Sequence, residues 1–404
     1  MATDQLPTLR QVDGYLYSEG WRTDHGVKRR TESDFDFLDR VRHPYFERIR
    51  EWEESVFARY PPGRDKTDLG MRFRKSAMPQ HYGASWELYQ FGLWTQLGWK
   101  LTPHPKTAGP NTPDFLVQRA GHDPFYIECT VRNPSDSELQ RQKRWSDFLN
   151  ALEELTSPLY GFDVERRTIG PSPLPVRKIM DQIRRQLSQS HAVRLHHKEE
   201  GWNFSVKTTG WGKGGISEGF AFAMTGTERL HYPIRKPVRK KSKWAEGLEG
   251  PLVVALWINV FPPYDSRINE AAFTSFMGYN PFDAGRKSGK AQNLHVNDGL
   301  WLQHGSAAGR GTSAVLLYEG SLWDRMPTLH GHPDPRFPFT LSAWPFETVQ
   351  YDVSNHCAPS PTGLQTSWPQ FWGLPPELPG IHEPVEGSGS GQLPSPTWWT
   401  PVKA

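Results

Sequence analysis

Residues 113–132 of the chain are PDFLVQRAGHDPFYIECTVR, two apolar runs on either side of a short polar stretch. The runs 114–118 and 125–132 are rich in aromatic and β-branched residues, which is typical of β-strands. Residues 121–124, Gly-His-Asp-Pro, carry the residue types of a turn. This segment therefore predicts a pair of strands joined by a turn.

A helix and another strand precede this pair. In residues 85–98 the apolar side chains recur at helical spacing, so one face should be buried, and Glu87 lies at the edge of that face. Residues 99–105 read as a strand, and residues 106–113 as a turn rich in Pro and Gly. The sequence thus predicts an α/β fold in which a helix is followed by a three-stranded meander.

Acidic residues fall at the strand ends of this meander. Because side chains alternate along a strand, Glu128, Thr130 and Arg132 share one face, while Cys129 points to the other. Asp114 begins the neighbouring strand and could meet Glu128. Two or three carboxylates around a backbone carbonyl, here that of Cys129, form a hard oxygen site suited to Mg²⁺ or Mn²⁺. Such an ion would activate water for attack on a phosphodiester.

This arrangement resembles the PD-(D/E)xK nuclease superfamily, whose restriction-endonuclease-like core is a helix, a three-stranded meander, a second helix and further strands. The resemblance implies that Asp114 and Glu128 are metal ligands and that Glu87 is an accessory acid on the helix. It covers roughly residues 84–345, where the chain is also similar to a group of uncharacterised bacterial proteins. The implied activity is metal-dependent DNA cleavage, in defence or repair.

The chain departs from the family pattern at one position. The family motif ends in a lysine that polarises the attacking water, whereas this chain has Thr130 there. Three replacements are open at this point: Arg132 on the same strand face, Lys143 downstream, or a lysine from the basic segment near residues 234–246.

That basic segment is a candidate for contact with DNA. It carries Arg235, Lys236, Arg239, Lys240, Lys241 and Lys243. All but Lys241 are the residues we expect at phosphates. The plain alternative is a solvated helix face, since charges on consecutive residues cannot all point one way. An apolar run at residues 251–261 follows and predicts a buried strand.

Composition and pattern divide the chain into three parts. Residues 1–80 are predicted to be a mostly helical extension, with one helix over residues 33–60. Residues 81–345 form the core, with hairpin and helical insertions that include a helix over residues 174–197. Residues 346–404 are a C-terminal extension, flexible from about residue 375, where Pro, Gly and Ser dominate and Trp398-Trp399 could dock a protein partner.

Several classes of protein are disfavoured. The two cysteines are too few for a disulfide scaffold, which favours a cytoplasmic protein, and no window approaches the length of a membrane span. Residues 210–215 lack the spacing of a phosphate-binding P-loop, and no Gly-x-Ser-x-Gly motif of a serine hydrolase occurs. A net charge of +3 says little about nucleic-acid binding by the whole molecule.

Two alternatives to a nuclease stay open. The chain could be a nucleic-acid-binding module that lost turnover when Thr130 replaced the lysine, and a cation reaching Asp114 and Glu128 would argue against this. It could instead be an interaction subunit without enzymatic activity, in which case the acids are structural. A lone strand histidine, His104, is more often structural than catalytic.

Overall fold

The computed structural model describes residues 14–26, 28, 32–76, 78–157, 160–209, 215–220, 228–259, 268–278, 299–303, 306–320, 322–323, 326–339, 347–352 and 368–372. The chain divides into two compact units. The first contains Ser33–Asn133 and Gly226–Pro376, together with N-terminal residues up to Asp24, and the second is built mainly on Pro134–Thr225. Residues 134–225, expected as insertions in the core, are therefore a unit of their own.

The elements of the first unit belong to a mixed α/β fold. Its helices are α1 (Asp34–Arg40), α2 (Pro44–Arg59), α3 (Arg64–Phe73), α4 (Met78–Gln96), α7 (Glu228–Ser242), α8 (Ile268–Met277) and α9 (Trp368–Phe371). Its strands are β1 (Lys100–Pro103), β2 (Phe115–Gln118), β3 (Phe125–Arg132), β8 (Leu252–Ile258), β9 (Leu302–Gln303), β10 (Ser306–Ala307), β11 (Ala314–Glu319), β12 (Thr328–Gly331) and β13 (Glu347–Gln350). The predicted α/β class is confirmed.

A seven-stranded sheet with the order β1-β2-β3-β8-β11-β12-β13 organises this unit. The meander is antiparallel, as predicted, with Leu101 opposite Val117 and Phe115 opposite Ile127. β8 then runs parallel to β3, with Glu128 beside Val254, and β11 runs parallel to β8. A parallel neighbour requires a long crossover connection. The connection between β3 and β8 contains the second unit and α7.

Helices cover both faces of the sheet. On one face α4 packs through aromatic side chains, with the ring of Trp94 5.2 Å from that of Phe125. Trp86 Nε1 donates a hydrogen bond to the carbonyl of Ala255 at 2.9 Å, which ties α4 to β8. On the other face, Ile234 and Val238 of α7 join the buried side chains of β8 in one core cluster. All seven residues of β8 are buried, as expected for a strand covered on both faces.

The N-terminal helix expected over residues 33–60 is two helices, so that expectation is wrong. α1 ends at Arg40, and Pro44 begins α2 at a position where its missing N–H is not needed. The ring of His43 accepts a hydrogen bond from the Tyr45 N–H at 3.2 Å and caps the new helix. Apolar spacing continues across the break, which is why periodicity alone did not reveal it.

The second unit packs two helices against a small sheet. Its elements are α5 (Asp136–Glu153), β4 (Gly161–Thr168), α6 (Val176–Ser190), β5 (Arg194–Glu199), β6 (Trp202–Thr208) and β7 (Gly215–Phe220). The sheet is four-stranded with the order β5-β6-β4-β7. Its core combines apolar side chains of α5, α6 and the strands, including Trp145, Ile183 and Phe204.

The helix expected over residues 174–197 ends early. α6 stops at Ser190, and His191 follows in the left-handed conformation with φ of 51°. Residues 194–199 form β5, whose buried and exposed side chains alternate, with Leu195 and His197 buried. Buried and exposed side chains therefore alternate every two residues in 194–199, which is the spacing of a strand and not of a helix.

Two further predictions concern membrane-spanning helices and the C-terminal residues. Within the described residues, no helix has the length and apolar character needed to cross a bilayer. The residues from about 375 onward, predicted to be flexible, and Trp398-Trp399 lie outside the described residues.

Candidate active site

Asp114 and Glu128 are placed opposite one another by the register of the meander. Phe115 pairs with Ile127 across β2 and β3, so the next position outward sets Asp114 against Glu128. Residues directly opposite on antiparallel strands have their Cβ atoms about 4.5–5.5 Å apart. Asp114 Oδ2 also accepts a hydrogen bond from the backbone N–H of Cys129 at 2.6 Å. The two acids that sequence reasoning selected thus lie together.

A lysine from the crossover helix α7 reaches this pair. Lys241, in the last turn of α7, donates a hydrogen bond from Nζ to Glu128 Oε1. The Glu128 side chain is 0% exposed and that of Lys241 is 18% exposed. The second oxygen of Glu128, Oε2, is buried and has no hydrogen-bond partner among the described residues. One carboxylate oxygen of the site therefore receives no hydrogen bond from the residues that the structure describes.

The ring of Trp244 contacts the Lys241 ammonium. Lys241 Nζ lies 4.2 Å from the centre of the Trp244 ring, over its face, which is a cation–π contact. Trp244 belongs to a 3₁₀ turn, Lys243–Ala245, that follows α7 directly. The lysine is thus oriented by a ring on one side and by a carboxylate on the other.

The two acids disfavour being charged together. Burial raises the pKa of Asp114 well above its usual range, and the nearby charges of Glu128 and Glu87 raise it further. Burial also raises the pKa of Glu128, while the Lys241 ammonium and its hydrogen bond pull it down. Neighbouring carboxylates in a site with little water repel one another, and a bound cation would relieve that repulsion.

Glu87 lies near the pair but is bound to another residue. Arg72 Nη1 and Nη2 donate to the two Glu87 oxygens at 2.9 and 2.7 Å, a bidentate ion pair between α3 and α4. The Glu87 side chain is 13% exposed. Its charge contributes to the raised pKa of Asp114 and of Glu128, so it belongs to the electrostatics of the site.

The residues present fit a partly hydrated divalent cation. Among the described residues, no group of three or more His, Cys, Asp and Glu side chains could hold a metal ion. Mg²⁺ is usually held by one or two carboxylates and keeps several waters, so Asp114 and Glu128 are sufficient acids. Oε2 of Glu128, for which the described residues supply no hydrogen-bond partner, is an oxygen of the required kind. The Cys129 thiol is buried and its pKa is raised by burial, which makes the thiol a poor ligand.

The other predicted residues are distributed as follows. Thr130 and Arg132 are half-buried on β3, and Lys143 is exposed on α5 in the second unit. On α7 and the 3₁₀ turn, Arg235 is half-buried, and the exposed cations are Lys236, Arg239, Lys240 and Lys243. The residue that contacts Glu128, Lys241, was not singled out from the sequence, although its basic cluster was recognised. Charge patterning could not distinguish it from Lys240.

The chain matches no protein-family model, no curated protein and no solved structure.

Proposed function

We propose that the protein is a metal-dependent DNA endonuclease with a restriction-endonuclease-like core. The observation that carries the proposal is the Lys241 ammonium bonded to Glu128, beside Asp114 and next to a Glu128 oxygen that has no hydrogen-bond partner in the described part of the chain. This supplies the lysine that Thr130 does not, from the third of the three sources considered. It also favours an enzyme over a binding module that lost turnover.

The order of elements supports the proposal. Helix α4 is followed by the meander β1 to β3, then by α7, and then by β8 parallel to β3. This is the succession that the resemblance implies for the nuclease core, with the second unit inserted before α7. The two acids lie at β2 and β3, as that resemblance also implies.

Each residue has a distinct part in the proposed reaction. When bound, a divalent ion would supply Lewis-acid activation of water and stabilise charge on the phosphate. Asp114 and Glu128 would hold that ion. Lys241 places one positive charge where negative charge develops during attack on the phosphodiester, an effect worth about 10²–10³ in rate for a single well-placed donor. Glu87, fixed by Arg72, adds negative potential that favours a cation at this point.

DNA is the proposed substrate because of the charge around α7. Lys236, Arg239, Lys240 and Lys243 are exposed on the same helical segment that delivers Lys241. Exposed cations of this kind neutralise phosphates independently of sequence, and their contribution falls as the salt concentration rises.

The test is cleavage of plasmid and single-stranded DNA with Mg²⁺ or Mn²⁺, and with a chelator. The variants are Asp114→Asn, Glu128→Gln and Lys241→Met, and Lys240→Met is the matched control on the neighbouring exposed lysine. We expect the first three to lose at least 100-fold in rate, an effect of the size seen when one transition-state donor is removed. Lys240→Met, which removes one of the exposed cations expected at phosphates, should keep the wild-type rate at saturating DNA and lose only affinity for DNA.

Titration calorimetry with Mn²⁺ separates binding from turnover. Wild-type protein should bind the ion, and Asp114→Asn should not. Absence of cleavage with DNA binding retained in every variant would refute the nuclease and leave the binding module. Absence of both metal and DNA binding would leave the interaction subunit.

A further inference from the structure

His104 has a backbone conformation that its sequence position disfavours. It follows β1 with φ of 42°, in the left-handed region. Residues other than glycine adopt this backbone region at an energetic cost. A residue before proline is restricted further, and Pro105 follows His104. Glycine would relieve the conformation. Strain of this kind persists where the side chain has a use, and it clusters at functional sites.

The strained backbone brings the imidazole to the acids. The His104 N–H donates to the Asp114 carbonyl at 2.9 Å, which fixes the turn beside the first acid. His104 Nε2 lies 4.0 Å from Asp114 Oδ1, and Nδ1 lies 3.3 Å from Asp65 Oδ2. The ring therefore stands between two carboxylates.

The distance from His104 Nε2 to Asp114 Oδ1 leaves room for a bridging water. A direct hydrogen bond between Nε2 and Oδ1 would need about 2.7–3.2 Å, so 4.0 Å is too long. One water can bond to both atoms across such a gap, and contacts beyond about 3.5 Å are commonly bridged in this way. Asp65, at the first turn of α3, lies against the opposite ring edge and limits how the imidazole can turn.

We propose that His104 is a positioning residue for the attacking water, which it holds by a hydrogen bond from Nε2 across the gap to Asp114 Oδ1. The inference rests on the proposed nuclease function, since it assigns the water that the reaction consumes. Asp65, 3.3 Å from Nδ1, makes no hydrogen bond to the ring and restricts it by contact alone. The sequence allowed His104 a place on a strand face near the site but favoured a structural role, because strand spacing does not predict its φ angle.

The test uses His104→Gly with His191→Gly as its matched control. His191 is a second histidine in the left-handed conformation, at the end of α6 in the second unit. Both substitutions remove an imidazole and relieve the backbone, so both should keep or raise the melting temperature. Only His104→Gly should lower kcat, by at least 10-fold with KM changed less than threefold. Added imidazole should restore part of that loss.

The outcomes separate this inference from the proposed function. If Asp114→Asn abolishes cleavage and His104→Gly keeps wild-type kcat, the role of His104 is overturned and the nuclease stands. If His104→Gly loses stability and activity together without rescue by imidazole, its role is structural. If the wild-type protein does not cleave, the role of His104 falls with the nuclease. If it cleaves, a high-resolution crystal structure tests the water itself. A water within hydrogen-bond distance of Nε2 and Oδ1, lost in His104→Gly, supports the inference, and its absence from the wild-type structure overturns it.

Discussion

Lys241 donates a hydrogen bond to Glu128 although 113 positions separate the two residues in the chain. The second unit and most of α7 lie between them in sequence. The contact is made because β8 pairs with β3 in parallel, which requires α7 to cross the face of the sheet on which Glu128 lies. A charged pair in this position links the packing of the crossover helix to the electrostatics of the acids.

Removing the lysine should destabilise the protein in a way that depends on pH. Lys241→Met leaves Glu128, which is 0% exposed, without its cation, and breaking such a buried pair costs about 3 kcal/mol. Without Lys241 the already raised pKa of Glu128 rises further. Stability is then kept while Glu128 is protonated and lost as the pH rises through that pKa, so the deficit should be larger at pH 8 than at pH 5.

Urea denaturation at the two pH values measures this difference. Lys240→Met, which removes an exposed charge one residue away, should change the free energy of unfolding by less than about 0.5 kcal/mol. An equal deficit for Lys241→Met at both pH values would contradict the pairing with Glu128.

Neutralising the other acid should have the opposite effect on stability. The pKa of Asp114 is raised in the folded protein, so the folded state prefers it protonated, and ionisation lowers stability as the pH rises above the unfolded-state pKa. Asp114→Asn keeps an oxygen to accept the Cys129 N–H but cannot ionise. We expect a gain of about 1 kcal/mol at pH 8 and none near pH 3, where wild-type Asp114 is already protonated. A loss of stability at pH 8 would show that the hydrogen bond needs the carboxylate charge.

The meander and its two acids could be predicted because their signals are local. Alternation fixes which side chains of β3 share a face, and a short turn fixes the register that sets Asp114 opposite Glu128. The partner of Glu128 could not be chosen in this way, since Lys241 differs from Lys240 only in its direction from a helix whose packing is tertiary. The partner of Glu87 could not be predicted from the sequence either, because Arg72 lies on a separate helix, α3.

Arg72 and Glu87 should behave as a coupled pair. Their bidentate contact is partly buried, with side chains 27% and 13% exposed, so it should exceed the 0.2–1 kcal/mol typical of surface pairs and reach about 1–2 kcal/mol. Arg72→Met leaves the Glu87 charge uncompensated near two other acids, whereas Glu87→Gln removes that charge. The single variant Arg72→Met should therefore be the less stable of the two.

A double-mutant cycle of unfolding free energies at pH 8 tests this coupling. The double variant should be more stable than Arg72→Met alone, although Arg72 also loses its bond to Asp68. Simple additivity of the two single substitutions would mean that Arg72 and Glu87 are not energetically coupled.

Trp244 should control the reactivity and the catalytic contribution of Lys241. The ring face, 4.2 Å from Nζ, holds the ammonium at Glu128 with an attraction of about 1 kcal/mol at a partly exposed site. Trp244→Leu removes that attraction but keeps an apolar side chain, so Lys241 becomes more mobile. Under the proposed function, kcat should fall several-fold with little change in KM. Trp244→Phe, which keeps a smaller ring, should retain an intermediate rate.

A measurement without DNA checks the same prediction. Labelling of the native protein with an amine reagent, quantified by mass spectrometry, should modify Lys241 faster in Trp244→Leu than in wild type, while the exposed Lys240 serves as an internal reference. A rate of Lys241 labelling that is unchanged relative to Lys240 would show that Glu128 alone holds the ammonium. In that case the positioning of Lys241 depends on the carboxylate, and Glu128→Gln should release it instead.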